Sequence, residues 1–197
     1  MKILAIGAHY DDIEIGCGGT LLKHVEKGDK VVLGITSSDE YRTGDKDDRY
    51  QEQVLSAEFL GVGTEDIFRF SYHDETHNII GQLDYIKPDI VFTQHEFDTH
   101  QDHRRASIIG QAVGRKRYIT TLFYDSGSSY DFHPNVFSII DFKKKYILMS
   151  CYRGQIKFGA VNLDIIKKKD SYWASLVTDK RNTYAEGFVV RKMRYLI

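Results

Sequence analysis

Residues Ala5–Leu22 read AIGAHYDDIEIGCGGTLL, and they combine an apolar run, a group of ionisable residues and a glycine cluster. The apolar run begins earlier, and Met1–Ala8 is predicted to be a buried parallel strand because almost no polar residue interrupts it. The ionisable residues and the glycines form a predicted loop, and a helix is predicted at Thr20–Lys27, ending at Gly28. This order places the ionisable residues at the carboxyl end of the first strand.

The loop carries His9, Asp11 and Asp12, a histidine followed closely by two adjacent carboxylates. An imidazole and a carboxylate together suit zinc, and the second carboxylate would remain available to act on a bound water. A structural explanation competes with this one. Either aspartate could cap a helix N-terminus, His9 could be an ordinary loop histidine, and the glycines could serve a tight turn. For an isolated motif of this length the structural explanation is preferred, because short motifs often match by chance.

The composition of the 197 residues is that of an ordinary globular protein, with 28% charged and 42% hydrophobic residues. The length predicts one domain spanning residues 1–197, long enough to bury a sizeable core. A formal net charge of −1 argues against a protein that binds nucleic acid by neutralising phosphates. The two cysteines make no disulfide framework, and we see neither a signal peptide nor an apolar run of about eighteen residues. We therefore expect a cytoplasmic protein with no membrane partner.

Strand-like and helix-like segments alternate along residues 1–124, which predicts a parallel sheet with right-handed crossovers. After the first unit, strands are predicted at Lys30–Thr36, Ile67–Phe70, Asp89–Thr93 and Tyr118–Tyr124, and helices at Arg49–Leu60, His77–Ile86 and His103–Val113. The remainder is less regular, with strands at Val136–Ile140 and Glu186–Arg191 and one or two helices between Phe142 and Ser175. The lysine runs 143–145 and 167–169 are interpreted as solvated helix faces. We expect an α/β fold, a Rossmann-like three-layer sandwich with a mostly parallel sheet and a small C-terminal elaboration.

A second polar segment follows the fourth predicted strand, with three histidines and three carboxylates in residues 94–103. Ligands of open parallel sheets lie outside the carboxyl ends of the strands, so we expect this segment to meet the His9 loop at one edge. A structural explanation exists here too, in which Thr99 or Asp102 caps the next helix and the histidines are exposed. We interpret His95 in that way, as an ordinary loop histidine.

Ala8–Thr20 resembles the signature of the LmbE-like (PIG-L) family of zinc-dependent N-deacetylases. That signature is Ala-His-Pro-Asp-Asp, followed by an acidic or aliphatic pair and Gly-Cys-Gly-Gly-Thr, and the clear departure here is Tyr10 in place of proline. His100–His103 reads HQDH and resembles the second signature of the family, His-Pro-Asp-His, again with the proline replaced. Two such segments in the same order make the resemblance specific and favour a metal site.

The resemblance implies zinc held by His9, Asp12 and His103, with another divalent metal such as Fe²⁺ as the alternative. It implies hydrolysis of an N-acyl group, in the first place N-acetyl, on a small-molecule amino sugar or glycoside. Family members are often multimeric, so a homo-oligomer is a further expectation. The residues alone leave two other classes open. One is an iron oxygenase, which also uses two histidines and one carboxylate. The other is a non-catalytic Rossmann-like module that binds nucleotides or sugars, although the glycine cluster lacks the Gly-x-Gly-x-x-Gly spacing.

Four further residues receive roles from the resemblance. Asp11 would take a proton from the attacking water and later pass one to the leaving amine. His100 would stabilise the tetrahedral intermediate, and Asp102 would orient an imidazole. Arg49, which follows a polar loop predicted at 37–48, matches a family helix with an arginine aimed into the site. An i,i+3 pair with a glutamate on a wet helix face explains Arg49 equally well.

Overall fold

The computed structural model of the chain describes residues 1–38, 46–116 and 118–193. Its strands are β1 (Lys2–Gly7), β2 (Lys30–Ile35), β3 (Ile67–Arg69), β4 (Ile90–Gln94), β5 (Thr120–Tyr124), β6 (Val136–Ile140) and β7 (Tyr184–Lys192). Its helices are α1 (Asp12–Glu26), α2 (Lys46–Leu60), α3 (Thr76–Tyr85), α4 (Gln101–Val113), α5 (Phe142–Met149), α6 (Arg153–Phe158) and α7 (Leu163–Ser175), and a short 3₁₀ turn covers Thr64–Asp66. The predicted strands are all present, with ends that move by one or two residues at most.

The strands form one sheet in the order β3-β2-β1-β4-β5-β7-β6. Strands β1 to β5 pair in parallel, whereas β7 runs antiparallel to both β5 and β6. This arrangement confirms the predicted α/β fold with a mostly parallel sheet and a C-terminal elaboration. The elaboration contains three helices where one or two were predicted. The short α6 ends at Gly159, whose φ of 79° is left-handed and ends that helix before α7 begins.

Both faces of β1, β2 and β4 are buried, as expected for strands that read as continuous apolar runs. Alternate side chains of β1 point to opposite faces. Ile3 and Ala5 belong to a core cluster with residues of α1 and α2, whereas Leu4 and Ile6 belong to a second cluster with residues of α3 and α4. The helices thus form the outer layers of a three-layer sandwich. Because β1 lies between β2 and β4, the segments after β1 and β4 leave the sheet side by side.

The glycine cluster lies inside α1, so the prediction of a loop followed by a helix from Thr20 is wrong. The helix begins at Asp12, and Gly16, Gly18 and Gly19 are all buried within it. A Cβ atom at Gly16 would lie 2.0 Å from the ring of Tyr124, and Cβ atoms at the other two would lie 2.7 and 2.8 Å from apolar side chains of α5 and β6. These glycines therefore let neighbouring elements approach the helix closely.

Lys145 is fully buried, so the interpretation of 143–145 as a solvated helix face is wrong at this residue. Its ammonium group donates to Asp170 (2.8 Å) and to the carbonyl of Ile15 (2.9 Å), and lies 2.8 Å from Glu186. Burial lowers the pKa of a lysine, but here the two carboxylates raise the pKa of Lys145 above its ordinary value. The cluster ties α5, α7 and β7 to α1. Helix periodicity does not reveal it, because its members are distant in sequence.

Other expectations have different outcomes. The prediction of a single domain over residues 1–197 stays a prediction, although the described strands share one sheet. The polar loop predicted at 37–48 falls largely on residues 39–45, which lie outside the described residues. Among the helices of the described ranges, none combines the length and the apolar character needed to cross a bilayer.

Candidate active site

The segments after β1 and β4 meet at the carboxyl edge of the sheet, where parallel sheets bind their ligands. Gln94, the last residue of β4, connects the segments after β1 and β5 at this edge, since its side chain accepts a hydrogen bond from the Ala8 N–H (3.0 Å) and donates one to the Ser126 hydroxyl (2.8 Å). A cavity of about 340 Å³ opens at this edge. Most of the residues predicted for the site line this cavity, namely His9, Asp11, Asp12, Arg49, His100 and His103.

Three of these residues form a group with the composition of a metal site. His9, Asp12 and His103 are buried, and each offers a ligand atom within 4.8 Å of the others. His9 follows the end of β1, Asp12 opens α1, and His103 lies in the first turn of α4. Two imidazoles and one carboxylate are a donor set found in catalytic zinc sites. The structure thus brings together the three residues that the family resemblance assigned to the metal.

Each histidine of this group has a second ring nitrogen beside a buried carboxylate. His9 Nε2 lies 3.0 Å from Asp102 Oδ2, and His103 Nδ1 lies 3.1 Å from Asp98 Oδ2. The other nitrogens face Asp12, with His9 Nδ1 at 3.4 Å and His103 Nε2 at 3.3 Å. Metal-ligating histidines almost always donate their second N–H to such a partner, which fixes the tautomer and the ring orientation. The donor set and its supports therefore fit a divalent metal.

The charges of the carboxylates agree with this arrangement. Burial raises the pKa of Asp12, but the neighbouring His103 and His9 lower it well below its ordinary value. A hydrogen bond from His9 lowers the pKa of Asp102 as well. Both groups are therefore ionised near neutral pH, which is the state that attracts a cation and orients an imidazole.

His100 occupies a different position, at the N-cap of α4. Its Nδ1 atom accepts a hydrogen bond from the backbone N–H of Asp102 (3.2 Å). A backbone N–H can only donate, so the neutral ring carries its proton on Nε2. Burial, followed by the charges of His103 and His9, lowers the pKa of His100 and favours this neutral form. His9, His100 and Asp102 also have potential ligand atoms within 4.8 Å, but the engaged Nδ1 atom makes them the poorer metal set.

Asp11 and Asp12 are adjacent but differ in their surroundings. Both line the cavity, but Asp12 Oδ2 accepts a hydrogen bond from the His9 N–H (2.8 Å) and Asp12 Oδ1 lies 3.3 Å from His103 Nε2. Asp11 has a φ of 108°, a left-handed conformation that lets α1 begin at the next residue. Burial, and next the charge of Asp12, raises the pKa of Asp11 well above its ordinary value. A carboxylate with a raised pKa is suited to accept a proton.

Arg49 is 5% exposed and lines the cavity, so the interpretation of a pair with Glu52 on a wet helix face is wrong. The guanidinium carbon lies 5.8 Å from the ring centre of Tyr10. Glu52 accepts a hydrogen bond from the Gly154 N–H (2.7 Å). The charge of Arg49 also opposes the rise in the pKa of Asp11, so Arg49 acts on a residue that lines the cavity.

The segment between β4 and α4 holds two differences from the sequence-based interpretation. His95 is 2% exposed and packs against Phe97 and Phe132, with ring centres 5.5 and 5.2 Å away, so it is not an exposed loop histidine. Asp98 was not singled out, yet its carboxylate contacts His103. Its position between the histidines of this segment was the one signal available in the sequence.

Residues 126–128, which follow β5, also line the cavity. No signal in the sequence indicated this, since small polar residues are common in loops.

Comparisons with known proteins agree with this geometry. Residues 4–113 match the family described as GlcNAc-PI de-N-acetylase (PIG-L). The chain is 32% identical over 157 residues to the uncharacterized deacetylase YaiS of Escherichia coli (strain K12), across 73% of this chain and 83% of that protein. Two solved structures share the fold. The conserved protein TT1542 of Thermus thermophilus has a TM-score of 0.81 at 24% identity, over 99% of this chain and 96% of that one. The N,N'-diacetylchitobiose deacetylase of Pyrococcus horikoshii has a TM-score of 0.76 at 21% identity, over 96% and 83%.

The match to residues 4–113 covers more than half of the chain and includes both sequence segments that meet at the cavity. The similarity to the bacterial deacetylase extends over most of both proteins. The chain therefore belongs to the PIG-L family and is an N-deacetylase, a hydrolase.

Proposed function

We propose that the chain is a zinc-dependent enzyme that removes an N-acetyl group from an amino sugar or a glycoside. The observation that carries the proposal is the convergence of His9, Asp12 and His103 with Asp11 and His100 at one cavity. This set contains a metal donor group, a candidate base and a neutral hydrogen-bond donor. Family membership supports deacetylation as the reaction.

His9, Asp12 and His103 would hold the metal, since two imidazoles and one carboxylate leave a catalytic zinc site with an open position. When bound, the ion would act as a Lewis acid and would lower the pKa of a coordinated water to about 7. Fe²⁺ stays the alternative metal, because the same ligand types suit it.

The residues of the chain move the protons of the reaction. Asp11 takes one proton from the attacking water, and its raised pKa favours holding that proton while the tetrahedral intermediate exists. The C–N bond then breaks, and Asp11 returns the proton to the leaving amine nitrogen. His100 donates from Nε2 toward the acyl oxygen as negative charge develops there. Asp102 supports two histidines near the reacting group. Its carboxylate contacts His9 Nε2, and its backbone N–H donates to His100 Nδ1.

A single sugar ring is the substrate unit that suits the cavity. Its volume of about 340 Å³ is at the low end of the range for small-molecule sites. Ser126, Ser128, Gln155 and Arg49 line it and can hydrogen-bond to sugar hydroxyl groups. One of the structures with this fold is a deacetylase of N,N'-diacetylchitobiose, which supports an N-acetylated sugar as the substrate class.

An amine-release screen tests the proposal. Zinc-replete protein is incubated with N-acetylated monosaccharides, glycosides and nucleotide sugars, and primary amine and acetate are both measured. We expect equal amounts of the two products from at least one of these classes, loss of the activity with a chelator, and recovery with Zn²⁺. Release from N-acetylated amino acids but from no sugar would contradict the proposed substrate class. Turnover that requires oxygen and a reductant would indicate an iron oxygenase.

The Arg49→Lys variant is expected to lower kcat/KM by roughly 10–100-fold, with a melting temperature close to that of the wild type. Lysine keeps the charge but loses the planar donors of the guanidinium group, and hydrogen bonds to charged groups contribute about 1.5–3 kcal/mol. Steady-state kinetics on the substrate found in the screen measure the effect. Arg69→Lys is the control, because Arg69 also stacks on a tyrosine, Tyr50, but does not line the cavity. Normal kinetics for Arg49→Lys would mean that the guanidinium group does not contact the substrate.

A further inference from the structure

Asp98 lies between β4 and α4 and is 1% exposed. Its Oδ1 atom accepts hydrogen bonds from the His100 N–H (2.8 Å) and from the Ser128 hydroxyl (2.7 Å). Its Oδ2 atom lies 3.1 Å from His103 Nδ1 and accepts a hydrogen bond from the Ser129 hydroxyl (3.2 Å). Donors on both oxygens hold the carboxylate in one orientation.

The proton of the His103 ring can be located from these contacts. Both oxygens of Asp98 accept hydrogen bonds from other donors, so a proton on His103 Nδ1 is the arrangement that gives Oδ2 a further donor. The Ser128 oxygen also lies 3.1 Å from Nδ1. Because Ser128 gives its single proton to Asp98, its oxygen can only accept from Nδ1. Asp98 and Ser128 therefore both require a proton on Nδ1, which in the neutral ring leaves the lone pair on Nε2, the atom that lies 3.3 Å from Asp12.

We propose that Asp98 is a positioning residue that holds His103 as a prepared metal ligand before a metal arrives. The proposal rests on the proposed function, in which His103 binds zinc. A carboxylate that fixes the tautomer and the orientation of a ligating imidazole also raises the basicity of that ligand. Losing such a partner typically weakens metal binding by about 10–100-fold.

The same carboxylate also contacts one wall of the cavity, through the hydroxyl groups of Ser128 and Ser129. Asp98 and Ser129 form an antiparallel β-bridge, and the Thr99 N–H donates to the Ser128 carbonyl (3.2 Å). Ser128 in turn lines the cavity. Asp98 thereby joins the segment that carries His103 to the segment that faces the substrate. Its removal is expected to affect metal affinity through His103 and substrate affinity through this wall.

Asp125 offers a matched control in the same wall. Its carboxylate accepts hydrogen bonds from the Gly127 N–H (2.8 Å) and the Ser129 N–H (3.2 Å), and it pairs with Lys169 (3.2 Å). Asp125 therefore supports the backbone of this segment, whereas Asp98 supports both the segment and the imidazole. A variant at Asp125 separates the loss of the wall from the loss of ligand positioning.

The test measures the dissociation constant for zinc by competition with a chelator of known affinity, in purified full-length protein. Asp98→Ala is expected to raise this constant roughly 10–100-fold. Asp98→Asn keeps the shape and one acceptor, so it should fall between Asp98→Ala and the wild type. Asp125→Asn should remain close to the wild type. Nitrogen chemical shifts of the His103 ring in metal-free protein give a second measurement. The neutral ring should be protonated at Nδ1 in the wild type and become a mixture of tautomers in Asp98→Ala.

The outcomes separate this proposal from the proposed function. If the wild type fails to bind zinc, the proposed function is wrong. If it binds zinc tightly and both Asp98 variants bind equally well, Asp98 does not position His103. An equal loss in Asp125→Asn would likewise reject ligand positioning, because the wall alone would then explain the effect. Should Asp98→Ala fail to fold, the isosteric Asp98→Asn variant and its ring tautomer still decide the question.

Discussion

Replacing Asp11 by asparagine is expected to lower kcat by roughly 10²–10⁴, the usual contribution of a positioned general base. The amide has the shape of the carboxylate but cannot take a proton from the attacking water. Asparagine also tolerates the left-handed φ of 108° at this position, so α1 should still begin at Asp12. We therefore expect zinc content and melting temperature to stay close to the wild-type values. Steady-state kinetics, elemental analysis and thermal melting measure the three quantities.

The Asp12→Asn variant is the matched comparison, since the two carboxylates are neighbours with different surroundings. The oxygens of Asp12 face both His9 and His103, so the loss of its charge should weaken zinc binding. Excess zinc should restore part of the activity in this variant and none in Asp11→Asn. The reverse pattern, in which zinc is lost at Asp11 and retained at Asp12, would exchange the two roles and contradict the assignment carried over from the family.

The strands and the mostly parallel character of the sheet could be predicted from the sequence, because parallel strands buried on both faces read as short apolar runs. The start of α1 could not be predicted in the same way. Glycine is unfavourable inside helices, so a cluster of three indicated a loop. The structure explains the cluster by close contacts, of which that between Gly16 and the Tyr124 ring is the tightest. Such contacts join residues that are far apart in the chain, and local sequence patterns do not contain them.

The candidate site, too, could be predicted from the sequence only in part. The family resemblance named His9, Asp12 and His103, and the structure places them in one group. The role of Arg49 was open because a helix N-terminus can face water or a cavity, and only burial distinguishes the two. Asp98 was missed because a carboxylate in a polar loop looks the same whether it is solvated or bonded to an imidazole. Its partners come from two segments, and the fold alone brings them together.

The second large effect is expected at His103. The His103→Ala variant should raise the dissociation constant for zinc by more than the loss of a supporting carboxylate does, on the order of 10²-fold or more. Only two ligands would remain, whereas catalytic zinc sites use three protein ligands. Activity should fall with the metal content. The variant should also be less stable without metal, because Asp98 would lose a buried hydrogen-bond donor, at a cost of about 1–3 kcal/mol.

Two control variants distinguish the loss of a ligand from a general loss of stability. His95→Ala removes a buried ring that packs against Phe97 and Phe132, so it should lower the melting temperature. It should nevertheless retain zinc, because His95 lies outside the group formed by His9, Asp12 and His103. His133→Ala removes an exposed ring and should change neither quantity. Full zinc occupancy in His103→Ala, measured by elemental analysis, would mean that the ligand assignment is wrong. Loss of zinc in His95→Ala at a temperature where the protein is folded would indicate that His95 is the ligand.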